Sequence, residues 1–404
     1  MSTPSRTTTI AGTAILVIGS VLLGGCEQMK IGYAKLMGLP TDQNILFWTS
    51  PQRDKAFRQM EVLTNTRTIS AGETPRELST GEPLSVALTQ ETKADTIATY
   101  LKNQNAAGVI VLQDGKVRLE AYNNDFNADG RWTSFSVAKS LTSTLVGAAI
   151  KDGYISSLDA PLTDYIPALK GSGYDDVTVR QLLTMQSGVR WNEDYEDPQS
   201  DVALFNQTKP VDGLDPIVVY MRTLDREFEP GKHWRYNTGE TNLIGVLVAN
   251  ATGKTLAEYL SEKVWGPYGM HSDAEWILNE GGTEIGGCCI SAKLSDYALF
   301  GHLAMNGGVI NGESIVPDGW FARAGTEQAD INQPGQGYGY QWWTYDDGSF
   351  AAQGIFGQGI FIDPARKLVI ASNSNWISAT DSNMKLQRQA FYESVQAAVD
   401  AEQQ

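Results

Sequence analysis

The chain has 404 residues, 42% hydrophobic and 19% charged, which is ample material for a large buried core. A formal net charge of −16, with no basic run and no aromatic–basic stripe, argues against nucleic-acid binding. Three scattered histidines and three cysteines without a CxxC argue against a zinc site and a disulfide framework, and no metal or cofactor is expected.

Arg6 precedes an apolar stretch, Ile10 to Gly25, that ends on Cys26. A positive start, a short apolar run and small residues before a break form a secretory signal. At about 16 residues the run is short for a membrane span of roughly 20. The ending Leu23-Gly24-Gly25-Cys26 resembles a bacterial lipobox, in which Cys26 is acylated and becomes the mature N-terminus. An uncleaved anchor is the alternative. Both imply a body tethered to a membrane in the bacterial cell envelope, facing the periplasm or the outside.

Residues 27–82 read as an N-terminal extension, with helical spacing from Pro51 to Leu63 and a linker from Ser70 to Pro83. The spacing predicts a helix over Thr92–Lys102. Two β-rich runs then flank Asp114-Gly115, a hairpin turn signal. Ser136 is expected to open an apolar helix that ends near Gly153. From about 155 to 280 the pattern is short helices and loops, including Val177–Met185 and Thr241–Asn250. After that come a helix over Ser291–Met305, strands at Tyr338–Thr344, Gly359–Ile362 and Leu368–Ser372, and a final helix from Asp381. Strands thus cluster before residue 125 and after 285. One sheet built from both chain ends, with a helical insertion, accounts for this. Adjacent Cys288 and Cys289 read as two buried thiols, because a bridge between neighbours is strained.

Three elements could carry chemistry. Ser136-Val137-Ala138-Lys139 is an S-x-x-K motif; at a helix start, positions i and i+3 share a face, so the amine can reach the hydroxyl. A serine needs such a base, and burial lowers the affinity of lysine for its proton. A second match, Ser382 to Lys385, sits where Ser382 would cap the final helix. Tyr236-Asn237-Thr238 follows the Pro230-Gly231 turn and could present a phenol to the Ser136 site. Gly354 to Gly359 is a glycine-rich approach to a strand, able to offer an N–H to an oxyanion or simply to turn. No G-x-S-x-G elbow is present, which disfavours an α/β-hydrolase.

Several stretches are similar to the serine hydrolases of the class C β-lactamase type. They are Thr133–Ser140, Val179–Gly188, Pro230–Tyr236, Gly287–Ala292 and Gly357–Pro364. That group includes β-lactamases, DD-peptidases, family VIII esterases and 6-aminohexanoate-dimer hydrolases. Glu193 to Asp201 resembles the last branch most, through a substrate-contacting tyrosine that maps to Tyr195. The resemblance implies an α+β fold, an antiparallel sheet flanked by helices, over residues 83–404, with the mainly helical subdomain inserted at about 155–280.

The same resemblance makes Ser136 the nucleophile, with Lys139 and Tyr236 sharing acid–base work. It makes the N–H groups of Ser136 and Ile355 the oxyanion donors, with Thr238 and Gly357 also on the substrate side. Two departures stand out. Tyr-x-Asn becomes Tyr236-Asn237-Thr238, and Lys-Thr-Gly becomes Ala352-Gln353-Gly354, without its lysine. Losing that cation weakens recognition of an anionic penicillin or peptide tail. The expected partner is a small-molecule amide or ester, cleaved through an acyl-enzyme. The alternatives are a β-lactamase or DD-peptidase, and a non-catalytic cell-wall or peptide binder of the same fold.

Overall fold

The computed structural model describes residues 30–42 and 44–402; Cys26 and the apolar stretch before it lie outside them. Among the described residues no helix is long and apolar enough to cross a membrane.

The centre is an eight-stranded sheet. Its strands are β1 (Ala106–Gln113), β2 (Lys116–Tyr122), β3 (Ala329–Gln333), β4 (Gln336–Tyr338), β5 (Trp343–Tyr345), β6 (Phe350–Gln353), β7 (Gly359–Asp363) and β8 (Leu368–Ser374). Their order is β2-β1-β8-β7-β6-β5-β4-β3, antiparallel throughout. The two chain ends join where Val111 of β1 faces Ile370 of β8. Asp114 and Gly115 both take positive φ, 49° and 74°, which is the backbone that a two-residue hairpin turn demands.

Both sheet faces are covered, so the middle strands are apolar on both sides. Along β1, Ile110 and Leu112 enter one core while Val109 and Val111 enter another. Four long helices are α1 (Ala138–Lys151), α2 (Thr238–Thr252), α3 (Leu294–Met305) and α4 (Ser382–Glu402). Helices α1, α2 and α3 belong to the first core; α4 and the short helix Ile97–Asn103 cover the second. Between 155 and 273 the chain is helical turns and loops, joined to α2 in the first core.

Several expectations shift in detail. The helix expected over Pro51–Leu63 is two pieces, Ser50–Ala56 and Met60–Leu63. The helix over Ser291–Met305 begins only at Leu294, because Ile290–Lys293 is a strand. That strand belongs to a second, four-stranded sheet built from Thr66–Ile69, Ala274–Ile277, Ile290–Lys293 and Arg131–Thr133. Four short segments far apart in sequence leave no periodic signal. The strand expected over Tyr338–Thr344 is interrupted, since its middle loops out to α1. There Ser140 and Ser143 donate to the carbonyls of Gln341 and Tyr340, both at 2.7 Å. Two strands went unread, β3 and β6, both short.

Residues 45–69 are woven into this body. Phe57 packs edge-on against Phe135 and Trp132, with centroids 4.9 and 5.8 Å away. Buried Arg53 donates to the Trp48 carbonyl (2.6 Å), the Asn375 side chain (2.8 Å) and the Trp376 carbonyl (2.8 Å). Its guanidinium also lies 4.3 Å from the Phe356 ring centroid. Removing it leaves buried acceptors without donors. Arg53→Ala is expected to cost about 2–3 kcal/mol of stability in urea unfolding; a loss below about 1 kcal/mol, the worth of an ordinary hydrogen bond, would contradict this account.

Candidate active site

Strand Arg131–Thr133 runs into a single 3-10 turn, Phe135–Val137, before α1 begins at Ala138. Ser136 therefore sits in the turn that leads into the helix, slightly before the regular helix expected to open on it. Ser134 fastens this turn to the second sheet. Its N–H donates to the Ile290 carbonyl at 2.7 Å, and its hydroxyl accepts from the Ile290 N–H at 2.9 Å. Phe135 has φ 44°, a left-handed conformation that a bulky residue rarely adopts. Phe57 and Phe356 enclose its ring, 4.9 and 5.3 Å away between centroids, which holds the turn in place.

Lys139, one helical turn on, is only 1% exposed. Its Nζ lies 3.0 Å from Ser136 Oγ, 3.0 Å from Thr238 Oγ1 and 2.8 Å from the Gly287 carbonyl. All three partners are uncharged. Burial disfavours the ammonium and brings the amine down to about 8, partly opposed by the negative charge of Glu193. A lysine in this state gives up its proton far more readily than one on the surface, so more of it is the neutral amine that can act as a base.

Tyr236 arrives from the start of α2. Its ring stacks on Trp343, with centroids 5.6 Å apart and planes at 17°, and Tyr338 meets it edge-on. Lys139 Nζ stands 5.2 Å from the same ring's centroid. Burial, and then the Glu193 charge, push the phenol well above its ordinary range, against the opposing effect of the Ser136 hydroxyl. It therefore stays protonated at neutral pH.

The displaced asparagine now has an explanation. Asn237 is the N-cap of α2: its side chain accepts from the Glu240 N–H at 3.0 Å. Thr238 takes the place facing Lys139. Thr238 thus touches the amine itself. Tyr195 joins the same cluster indirectly, donating to Glu193 Oε1 at 2.6 Å.

Glu193 is the member of this cluster that sequence reasoning missed. Its Oε2 accepts from the Thr238 N–H at 2.9 Å and from the Trp191 indole; its Oε1 accepts from the hydroxyls of Thr238 and Tyr195. In sequence it is one carboxylate in an acidic loop, with nothing to set it apart from Asp194, Glu196 or Asp197.

Across from Ser136 lies the Gly354–Gly359 loop. A Cβ on Gly354 would come within 2.6 Å of the Ser134 carbonyl, so only glycine lets β6 end this close to the Ser136 turn. Ile355 follows directly. Among the described residues, neither its N–H nor that of Ser136 donates to another protein group. Gly357 lies further along the same loop. Its N–H bonds the Gly354 carbonyl at 3.3 Å, and a Cβ there would strike the Trp376 indole. Its φ of 95° and the indole beside it both require glycine.

Other expectations resolve here too. Cys288 and Cys289, whose sulfurs lie against each other, follow the Gly287 carbonyl that receives Lys139. In the second S-x-x-K, the cap of α4 is Asp381, whose side chain accepts from the Met384 N–H at 2.9 Å; Ser382 does not cap. Lys385 stands 5.7 Å from the Trp343 ring centroid, and among the described residues its amine makes no hydrogen bond to Ser382. Ala352, where the lactamase pattern has lysine, is buried.

Comparison with known proteins agrees with this geometry. The beta-lactamase family model matches residues 94–390. A 6-aminohexanoate-dimer hydrolase of Paenarthrobacter ureafaciens is 30% identical over 345 residues, covering 81% of this chain and 86% of that protein. A lovastatin esterase of Penicillium rubens is 26% identical over 189 residues, 43% of this chain and 46% of its own length. Among solved structures, a Bacillus anthracis protein superposes with a TM-score of 0.78 at 23% identity, covering 90% of this chain and 99% of that one. A family VIII carboxylesterase gives 0.56 at 18% identity, covering 79% and 99%. The chain belongs to the beta-lactamase family and is a serine hydrolase of that superfamily.

Proposed function

We propose that this hydrolase cleaves a linear amide or ester, of the kind represented by 6-aminohexanoate dimers, through an acyl-enzyme on Ser136. One observation carries the reading: a buried amine with no charged partner stands 3.0 Å from a serine hydroxyl at a helix start. Ser136 Oγ attacks the carbonyl carbon as its proton passes to Lys139 Nζ. The carbonyl oxygen gains the negative charge and lies against the free N–H groups of Ser136 and Ile355. When the carbon–nitrogen or carbon–oxygen bond breaks, the phenol of Tyr236 gives its proton to the leaving group and recovers one from Lys139. Water then repeats the sequence on the ester, with its proton following the same route, and frees Ser136.

The absent lysine at Ala352 supports linear amides and esters over penicillins. No cation on β6 is available to hold a carboxylate beside the reacting carbonyl. The 30% identity to a 6-aminohexanoate-dimer hydrolase across most of both chains supports the same substrate class. Tyr195, anchored by Glu193, would line the substrate side. We place the enzyme in the bacterial envelope, tethered through a lipid on Cys26; the Leu23–Cys26 ending supports this.

Ser136→Ala is expected to abolish labelling by a fluorophosphonate, and labelling at the wild-type rate would retire Ser136 as nucleophile. Tyr236→Phe is expected to slow turnover of p-nitrophenyl esters and linear amides by at least about 100-fold; near-normal turnover would remove the phenol from the relay. Intact-mass spectrometry of the native membrane fraction should find a diacylglyceryl Cys26 as first residue, and a chain still starting at Met1 would contradict the lipid tether.

A further inference from the structure

We infer that Glu193 is a positioning residue, which accepts the hydrogen bond of the Thr238 hydroxyl and thereby turns the Lys139 lone pair onto Ser136. This rests on the reading above, that Lys139 is the base for Ser136, and adds to it the group that orients the base.

The argument is an inventory of protons. The Gly287 carbonyl can only accept, so one Lys139 N–H points at it across 2.8 Å. Thr238 Oγ1 has a single proton and two neighbours, Lys139 Nζ at 3.0 Å and Glu193 Oε1. An ionised carboxylate can only accept, so the Thr238 proton goes to Glu193. Thr238 must then accept from Lys139, which uses the second N–H. A neutral amine has two N–H bonds and one lone pair. With both N–H bonds directed elsewhere, the lone pair is left facing Ser136 Oγ at 3.0 Å, ready to receive its proton.

Glu193 is itself held so that it cannot turn. Four donors meet its two oxygens: the Thr238 N–H and the Trp191 indole on Oε2, and the Thr238 and Tyr195 hydroxyls on Oε1. Glutamine in its place has one oxygen. The two fixed N–H donors would hold that oxygen at the Oε2 position, leaving the amide NH2 at Oε1. That NH2 would donate to Thr238 Oγ1 and drive the hydroxyl proton toward Lys139. The Lys139 lone pair would then be spent on Thr238, with an N–H toward Ser136. An isosteric substitution thus inverts the inventory without removing any bulk.

Charge gives a second, separable signature. The other titratable groups around the pair are Tyr195 on the same loop, Tyr236 and Glu240 at the start of α2, and Tyr338 on β4. All three tyrosines are pushed upward and stay neutral, and Glu240 is raised to about 8 by burial. Glu193 is the charge that raises Lys139 against its burial. Without it the amine loses its proton at lower pH, so the acid limb of the rate profile moves down.

The test is the pH dependence of kcat and KM for a short p-nitrophenyl ester, measured on the purified full chain, Glu193→Gln and Thr238→Ser. For Glu193→Gln we expect kcat to fall at least about tenfold, with the acid limb of kcat/KM displaced downward by at least about half a pH unit. Thr238→Ser keeps the hydroxyl and should lose less kcat than Glu193→Gln, with its acid limb in place. A Glu193→Gln enzyme with wild-type kcat, or one whose kcat falls while the limb stays put, overturns the inference. If Glu193→Gln does not fold, Thr238→Val tests the same relay: it should lose at least about tenfold in kcat while Thr238→Ser does not, and equal rates for the two would overturn it. Labelling of Ser136→Ala separates the two levels: if that variant still labels, the Ser136 reading itself has failed, whereas loss of labelling beside a normal Glu193→Gln enzyme condemns only the role of Glu193.

Discussion

A lysine side chain nine-tenths hidden from water is a costly object, because its ammonium surrenders several kcal/mol of hydration. Proteins usually answer that cost with a carboxylate in direct contact. Lys139 has instead two hydroxyls and a carbonyl, and with no carboxylate in contact its burial lowers its affinity for a proton. The rest of the site can be understood as the framework that keeps this arrangement from relaxing. The 3-10 turn before α1 presents Ser136, the cap of α2 presents Thr238, and the segment entering Cys288 and Cys289 presents the Gly287 carbonyl.

Each of those pieces is held from behind. Ser134 links the Ser136 turn to strand Ile290–Lys293, and hydroxyls along α1 bond Gln341, Tyr340 and Gly286. Thr241 on α2 bonds the Gln341 side chain, whose amide in turn reaches the carbonyls of Leu182 and Leu183. The loop through Gln341 therefore ties three elements together. The N-terminal residues complete the far side, with Phe57 against Phe135 and Arg53 against Phe356. Small displacements in any of these would reach Ser136, which is why segments far from the chemistry are buried as tightly as the site.

Acid and base are divided by environment. Tyr236, between Trp343 and Tyr338, keeps its proton; Lys139, a few ångströms away, readily loses its own. Glu193 acts on both through its charge and on Thr238 through hydrogen bonds. Replacing the lactamase asparagine by Thr238 matters in this light. A hydroxyl can donate to a carboxylate and accept from an amine at once, which ties the amine to the loop that carries Tyr195.

The sequence by itself determined the nucleophile motif, the hairpin at Asp114-Gly115, the covering helices and the joining of both chain ends in one sheet. These are local signals: i,i+3 spacing, a positive-φ turn pair and apolar periodicity survive without any tertiary knowledge. It also singled out Tyr236 and Tyr195, by resemblance. Only the tertiary structure decided the rest. The second sheet is four short strands whose partners lie far away in the chain, and β5 reads as part of a longer strand until the loop to α1 breaks it. That Gly357 must be glycine to make room for Trp376 is likewise visible only in the fold. Glu193 is indistinguishable from its acidic neighbours until folding brings four donors onto it, because what gives a carboxylate its role is the set of groups around it, and that set is assembled from parts of the chain that sequence spacing does not connect.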